Sequence, residues 1–193
     1  MTGRTHDTAA LTALVLVVAA HPLPSFTLAT ALVALLANQI GGIVPDIDQP
    51  TAPFWRNLPI GRIFGKFTDK LLGGHRFLTH SLVGAALFAY LAHWLLKVLQ
   101  PIMPHVDIHL VWWAFVIGLL SHLIMDSFTK EGVPWLLPIP AKFGFPPLKA
   151  LRITTGHVIE SLIIFPGLII VNILLFSRYY PQIVSFLHSH VGA

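Results

Sequence analysis

A chain of 193 residues is the length of one ordinary domain, yet 55% of it is hydrophobic and only 10% charged, against roughly 25% charged residues in a soluble domain, so its solvent is lipid. It has no cysteine, which excludes disulfides, thiolate metal sites and a cysteine nucleophile. Its net charge of +4 does not indicate nucleic acid, because the basic residues collect in loops between apolar runs, as membrane topology dictates.

A bilayer core takes about 20 mostly apolar residues per helix, within a range of roughly 17 to 25. Five runs meet or approach that length, which predicts an all-α integral membrane protein: one polytopic domain with about five transmembrane helices. The first run covers about 8–23 and ends at His21-Pro22-Leu23-Pro24, where two prolines force a turn. A signal peptide is its rival reading, from Arg4, the short apolar run and Ala19-Ala20. The tight proline link into the next run argues against it. The second run covers 25–44 and stops at Pro45. The third covers 78–99 and stops before Pro101. The fourth covers 108–128, and the fifth about 157–176, with Pro166 tolerated inside a membrane helix.

With five spans, the N-terminus and the long loops 45–77 and 129–156 share one side. Ten of the twelve Lys and Arg residues lie there, leaving Lys97 and Arg178 opposite. The positive-inside rule then puts the N-terminus and both loops in the cytoplasm and the C-terminus outside, with the chain integral to the cytoplasmic (inner) membrane. Both loops are rich in Pro, Gly and aromatics (APFWRNLPIGRIFGKF and VPWLLPIPAKFGFPP), a composition suited to the membrane interface.

The polar residues fall where that topology does not require them. His6 and Asp7 precede the first span, and Asp46 and Asp48 follow the second. His75 and His80 bracket the start of the third. His122 and Asp126 sit in the last turns of the fourth, and Glu160 in the first turn of the fifth. All lie at the cytoplasmic ends. His122 and Asp126 are i, i+4 and share a helix face, the spacing by which paired helical ligands hold one metal. Asp46 and Asp48 are i, i+2 and point the same way if extended. His75 and His80 converge only if the helix starts between them, which Gly73-Gly74 makes plausible. A charge near the bilayer centre costs about 2.5–3.5 kcal/mol and less at helix ends, so such residues call for a partner. The natural one is a metal shared by His122, Asp126, His80 and the Asp46/Asp48 pair. Asp7, Asp69, Glu131 and His157 read better as anchors or packing residues, and the six histidines on the opposite side as interfacial or tail residues.

PDID, HRFLTHS, GLLSHLIMD with SFTKEGVPWLLPI, and TGHVIE together resemble the YdjM-like family of membrane-bound, metal-dependent hydrolases, some of them LexA-regulated inner-membrane proteins. The family is distantly similar to zinc-dependent phospholipase C, a helical fold whose multi-metal site uses His and Asp in HxxxD spacing. The resemblance runs from Arg4-Thr5-His6 to about Glu160. It implicates His6, Asp46, Asp48, His75, His80, His122, Asp126 and Glu160 as metal ligands. The chain departs from the pattern at Gln49, where a His is frequent, at Phe77, where a Gly is frequent, and at His157, where a Ser is frequent.

The first functional reading is therefore a membrane-embedded hydrolase. An all-nitrogen-and-oxygen ligand set suits divalent ions, two or more, with Zn ahead of Mn or Fe. Paired metals clamp a phosphoryl oxygen and activate water, leaving Asp48, Asp126 or Glu160 as the base. Arg76, Lys70 and Arg152 are candidates for binding substrate phosphate, against their plain reading as inside-loop charges. A site at headgroup depth suits a membrane lipid or lipid-linked substrate. The rivals are an ion or proton transporter using the same cluster and a non-catalytic protein tied together by a closed metal site.

Overall fold

The computed structural model describes residues 1–21, 26–74, 76–139 and 141–191. Eight α-helices follow one another: α1 (Gly3–Ala20), α2 (Leu28–Ile43), α3 (Pro53–Arg56), α4 (Gly61–Leu71), α5 (Leu82–Leu99), α6 (Ile108–Ser127), α7 (Phe165–Arg178) and α8 (Tyr180–Val191). Among the described residues there is no sheet, only two isolated bridges, Thr129 with Ile153 and Val133 with Phe143, which fold the 129–156 loop back on itself.

Among the described residues four stretches are long and apolar enough to cross a membrane: Leu28–Asp48, Leu82–Ile102, Ile108–Ser127 and Glu160–Arg178. The first expected span, about 8–23, does not meet that measure. Its helix, α1, begins at Gly3 rather than near residue 8, and Arg4, Thr5, His6, Asp7 and Thr8 fill its first turns. The third span starts at Leu82, not near 78, because residues 78–81 form a turn closed by Ser81, whose side chain accepts from Gly84 N at 3.0 Å as an N-cap does. The last span opens on a π turn at Glu160–Ile164. Pro166, lacking an N–H, favours such a widened turn. α8 is unanticipated by the hydropathy reading, being short and polar at its end.

α6 is the central helix. Of its spanning window 44% is buried, against 11% for α5 and α7, whose leucines, isoleucines and valines face outward, as lipid-facing residues do. Without a hydrophobic force between helices in lipid, close approach depends on small residues, and the α2–α6 crossing uses them. A Cβ at Gly118 would stand 2.0 Å from the Asn38 carbonyl oxygen, and one at Gly41 would stand 2.1 Å from that of Phe115. Beside this contact Asn38 Nδ2 donates to Ala114 O at 3.1 Å. Gly42 meets Ala10 of α1, so α1, α2 and α6 form the tight core. α7 is tied to α1 by Asn172 Nδ2 donating to Thr12 Oγ1 at 2.7 Å. At the end away from the polar residues, Asp107 caps α6 through its side chain, and its N–H donates to Thr30 of α2 at 2.9 Å.

The crossing gives a direct test. Gly118→Ala forces two backbones apart and is expected to lower unfolding stability in detergent by roughly 1–3 kcal/mol or more. Gly167→Ala, where a Cβ meets nothing within 4 Å, is expected to be neutral or to stabilise by up to about 1 kcal/mol. Equal thermal midpoints for the two variants would contradict the close crossing.

Candidate metal centre

α1, α5 and α7 begin, and α2 and α6 end, at the same end of the bundle. The His and Asp residues meet there. α2 runs into a 3₁₀ turn, Val44–Asp48, with Pro45 in its first positions. The carbonyl of Ile47 at its middle accepts from Trp55 Nε1 and from Thr68 Oγ1, each at 2.8 Å. That fixes the turn from the loop side and sets Asp46 and Asp48 on either side of Ile47.

Among the described residues two groups of ligand atoms result: His6, His122 and Asp126; and Asp46, His80 and His122, the atoms of each within 4.8 Å of one another. His122 belongs to both. His6 stacks on it with ring centroids 3.6 Å apart and planes 8° from parallel. His80 meets it edge-on at 5.2 Å. His122 Nε2 lies 3.6 Å from Asp46 Oδ1 and 3.8 Å from Asp126 Oδ2. His80 Nε2 lies 3.7 Å and 3.5 Å from the same two carboxylate atoms. His6 Nε2 is 3.2 Å from Asp126 Oδ1. Most of these separations are too long for hydrogen bonds. Two ligands each about 2.1 Å from a tetrahedral ion stand roughly 3.4 Å apart, so they are near the edges of a coordination shell.

The far side of each ring decides which nitrogen is bare. His122 Nδ1 lies 2.6 Å from the Gly42 carbonyl, which only accepts, so Nδ1 carries the proton and Nε2 a lone pair. Thr79 stands between Asp48 and His80: its hydroxyl donates to Asp48 Oδ2, and His80 Nδ1 lies 2.9 Å from the Thr79 hydroxyl oxygen. Having given its proton to the carboxylate, Thr79 can only accept from His80, so His80 Nδ1 carries the proton and Nε2 a lone pair. Asp48 accepts as well from Arg76 N at 3.1 Å, and Asp48 and His80 make further interactions besides these. Burial pushes the His80 imidazole below its ordinary value. The Nε2 atoms of His6 and His122 are buried without a hydrogen-bond partner. Bare nitrogens and carboxylate oxygens aimed at one another are a donor set that fits divalent cations.

The remaining candidates fall in three places. Glu160 is buried but belongs to neither group. Its Oε1 accepts from Thr2 N at 2.6 Å, Thr2 Oγ1 at 2.7 Å and Thr5 Oγ1 at 2.7 Å, and its Oε2 from Gly156 N at 2.7 Å. It clasps the start of α1 to the start of the last span. Arg76 is buried beside the centre, with Nη2 2.5 Å from Asp126 Oδ2 and Nη1 donating to Thr129 Oγ1 at 2.9 Å; the amino group of Met1 also contacts Asp126. Lys70 is exposed on α4. Arg152 donates to the carbonyls of Pro146 and Pro147 and lines a separate hollow with Lys142, Trp135 and Phe143. His75 lies outside the described residues. His157 is exposed, in keeping with its plain reading. Sequence reasoning missed Thr79, whose part depends on the folded geometry, and Arg76 as the ion-pair partner of Asp126. It set Asp7 aside, yet Asp7 is half-buried within electrostatic range of His122 and Asp46.

Fold and geometry define a class: a polytopic helical membrane protein with a buried His/Asp centre at one end of its bundle. The chain matches the family described as YdjM inner membrane protein over residues 1–187, and it belongs to that family. It is 37% identical over 109 residues to the inner membrane protein YdjM of Escherichia coli (strain K12), covering 54% of this chain and 48% of that protein. The Shigella flexneri protein of the same name matches to the same extent. An uncharacterized protein, YvsG of Bacillus subtilis (strain 168), is 27% identical over 128 residues, 66% of this chain and 69% of that one. The chain spans about half the length of the curated YdjM proteins it matches. No solved structure matches.

The clasp separates two readings of Glu160. Glu160→Gln turns an amide toward donors that now face a carboxylate, and is expected to cost roughly 1–3 kcal/mol in thermal unfolding while leaving divalent-metal content unchanged. Loss of metal at unchanged stability would make Glu160 a ligand instead.

Proposed function

We propose that the chain is a membrane-embedded, metal-dependent hydrolase acting on a phosphoester or related ester of an amphiphilic substrate at the cytoplasmic face of the inner membrane. One observation carries the proposal: the two histidines whose far nitrogens are fixed by the Gly42 carbonyl and by Thr79 turn the lone pairs of their Nε2 atoms toward the same two carboxylates. His6, His122 and Asp126 would hold one ion, and Asp46, His80 and His122 would hold or share a second. Zn fits this nitrogen-and-oxygen set best, with Mn or Fe as alternatives. Divalent ions there would supply Lewis-acid polarisation of a phosphoryl oxygen and activation of water.

The chain's own residues do the rest. Asp46, 23% exposed where His80, His122 and Asp126 are closed off, marks the side from which substrate enters, and it orients water there. Thr79, held by Asp48, keeps the His80 ring in one orientation and one tautomer. Arg76 balances Asp126 and lies beside the place a phosphoryl oxygen would take. A substrate reaching the centre from the interface is lipid-like because the flanks of the bundle are apolar. The basic loops support a cytoplasmic position for this end.

Transport fits less well. Of the eight acids, Asp107 alone lies at the opposite end of the bundle, so no line of carboxylates continues through the spans. A purely structural metal would be closed on all sides, against the exposure of Asp46.

Elemental mass spectrometry on detergent-purified protein tests the proposal. About two divalent ions per chain are expected, both lost in His122→Ala and one retained in His6→Ala. Thr79→Val is expected to weaken metal retention against a chelator by about 10–100-fold, and Thr79→Ser to restore it. A metal-loaded chain should then release product from a phospholipid or lipid-linked phosphate. No bound metal after re-addition would end the proposal.

A further inference from the structure

α4 carries three stripes along its eleven residues. Gly61, Gly65 and Thr68 face the protein. A Cβ at Gly65 would stand 2.8 Å from Pro50 Cα and 3.0 Å from the Trp55 ring, and Thr68 donates to the Ile47 carbonyl at 2.8 Å. Ile63, Phe67 and Leu71, spaced i, i+4, i+8 with Phe64 beside them, form a second stripe. They are 68%, 64%, 69% and 52% exposed, so nothing in the described chain covers them. Arg62, Lys66 and Lys70 repeat the same spacing one residue earlier and form an exposed basic stripe next to the apolar one.

We propose that α4 is an in-plane membrane anchor, its apolar stripe in the acyl boundary and its basic stripe among anionic lipid headgroups, and that it holds the Asp46–Asp48 turn at that depth. Two features select a lipid surface. The chain already spans a bilayer, and α4 follows shortly after the span that ends at Asp48, at the level where headgroups begin. The adjacency of the stripes suits lipid too: a large apolar face with Lys and Arg along its edge is the pattern of interfacial helices, which bury about 5–10 Å into the boundary while their cations stay with the headgroups. The tie to Ile47 links this anchor to the metal-centre carboxylates. The proposal stands whether or not the centre is hydrolytic.

The absence of native cysteine allows clean spin labelling of the full chain in lipid nanodiscs. Labels at Ile63→Cys and Phe67→Cys are expected to collide with oxygen several-fold more than with a water-soluble nickel chelate, and labels at Arg62→Cys and Lys66→Cys to show the reverse. In anionic discs the apolar labels should sit deeper than in zwitterionic ones, and the triple variant Arg62→Gln, Lys66→Gln, Lys70→Gln should remove that difference. Equal exposure of all four labels to the chelate would overturn the proposal. Protection of the apolar labels from both reagents would put a second copy on the stripe and overturn it. A depth indifferent to lipid charge would overturn the role of the basic stripe.

Discussion

The backbone contact between α2 and α6 is the constraint on which the rest depends. Glycines at 41 and 118 let each helix lie against the other's backbone, where a Cβ would collide with a carbonyl oxygen, which packing in lipid needs because apolar side chains there have no water to escape. Close approach also brings the Gly42 carbonyl within 2.6 Å of His122 Nδ1. The crossing that stabilises the bundle thus sets the tautomer of the histidine shared by both ligand groups. A side chain at either position would move the helices by more than the tolerance of a coordination shell, so the small residues are part of the centre without being ligands.

Burying this much charge needs compensation, since an unpaired carboxylate at low dielectric is far costlier than a paired one. The chain supplies it in two ways. Glu160 takes its hydrogen bonds from the first turn of α1 and from Gly156, and the positive end of a helix dipole favours a carboxylate there. Asp126 draws on Arg76. Neither arrangement accounts for the Nε2 atoms of His6 and His122, which are buried without a hydrogen-bond partner, and that remainder is what supports the proposed cation site over an ordinary buried ion-pair network.

Much of this was legible in the sequence. Hydropathy places the four longest apolar helices to within a few residues, and the one-ended grouping of His6, Asp46, His80, His122 and Asp126 follows once the spans are drawn. What failed did so for physical reasons. Run length could not show that α1 starts at Gly3, because its polar first turns are ordered by Glu160, more than 150 residues away in sequence. The exact role of Glu160 was hidden for the same reason: a buried carboxylate at a helix start looks identical in sequence whether it binds a metal or another helix. Thr79 gave no signal, since one threonine among several becomes significant only when a carboxylate and an imidazole lie on opposite sides of its hydroxyl. Arg76 read as a loop cation because the charge pattern does not reveal that residue 76 turns inward, with φ of 59°.

The Ile47 carbonyl joins the membrane to the centre. It lies between two aspartates, and it accepts from the indole of α3 and the threonine of α4. Both helices sit outside the bundle, with exposed aromatic side chains at Phe54, Phe64 and Phe67. With α4 anchored as proposed, a displacement of these helices acts on Asp46, the most open residue of the centre, before it reaches His122, whose Nδ1 is held by the Gly42 carbonyl at the α2–α6 crossing. The centre thus has a fixed half, set by helix packing, and an adjustable half, set by a loop with a lipid-facing character. Such a division suits the proposed function, in which cations are held firmly and an amphiphile enters from one side.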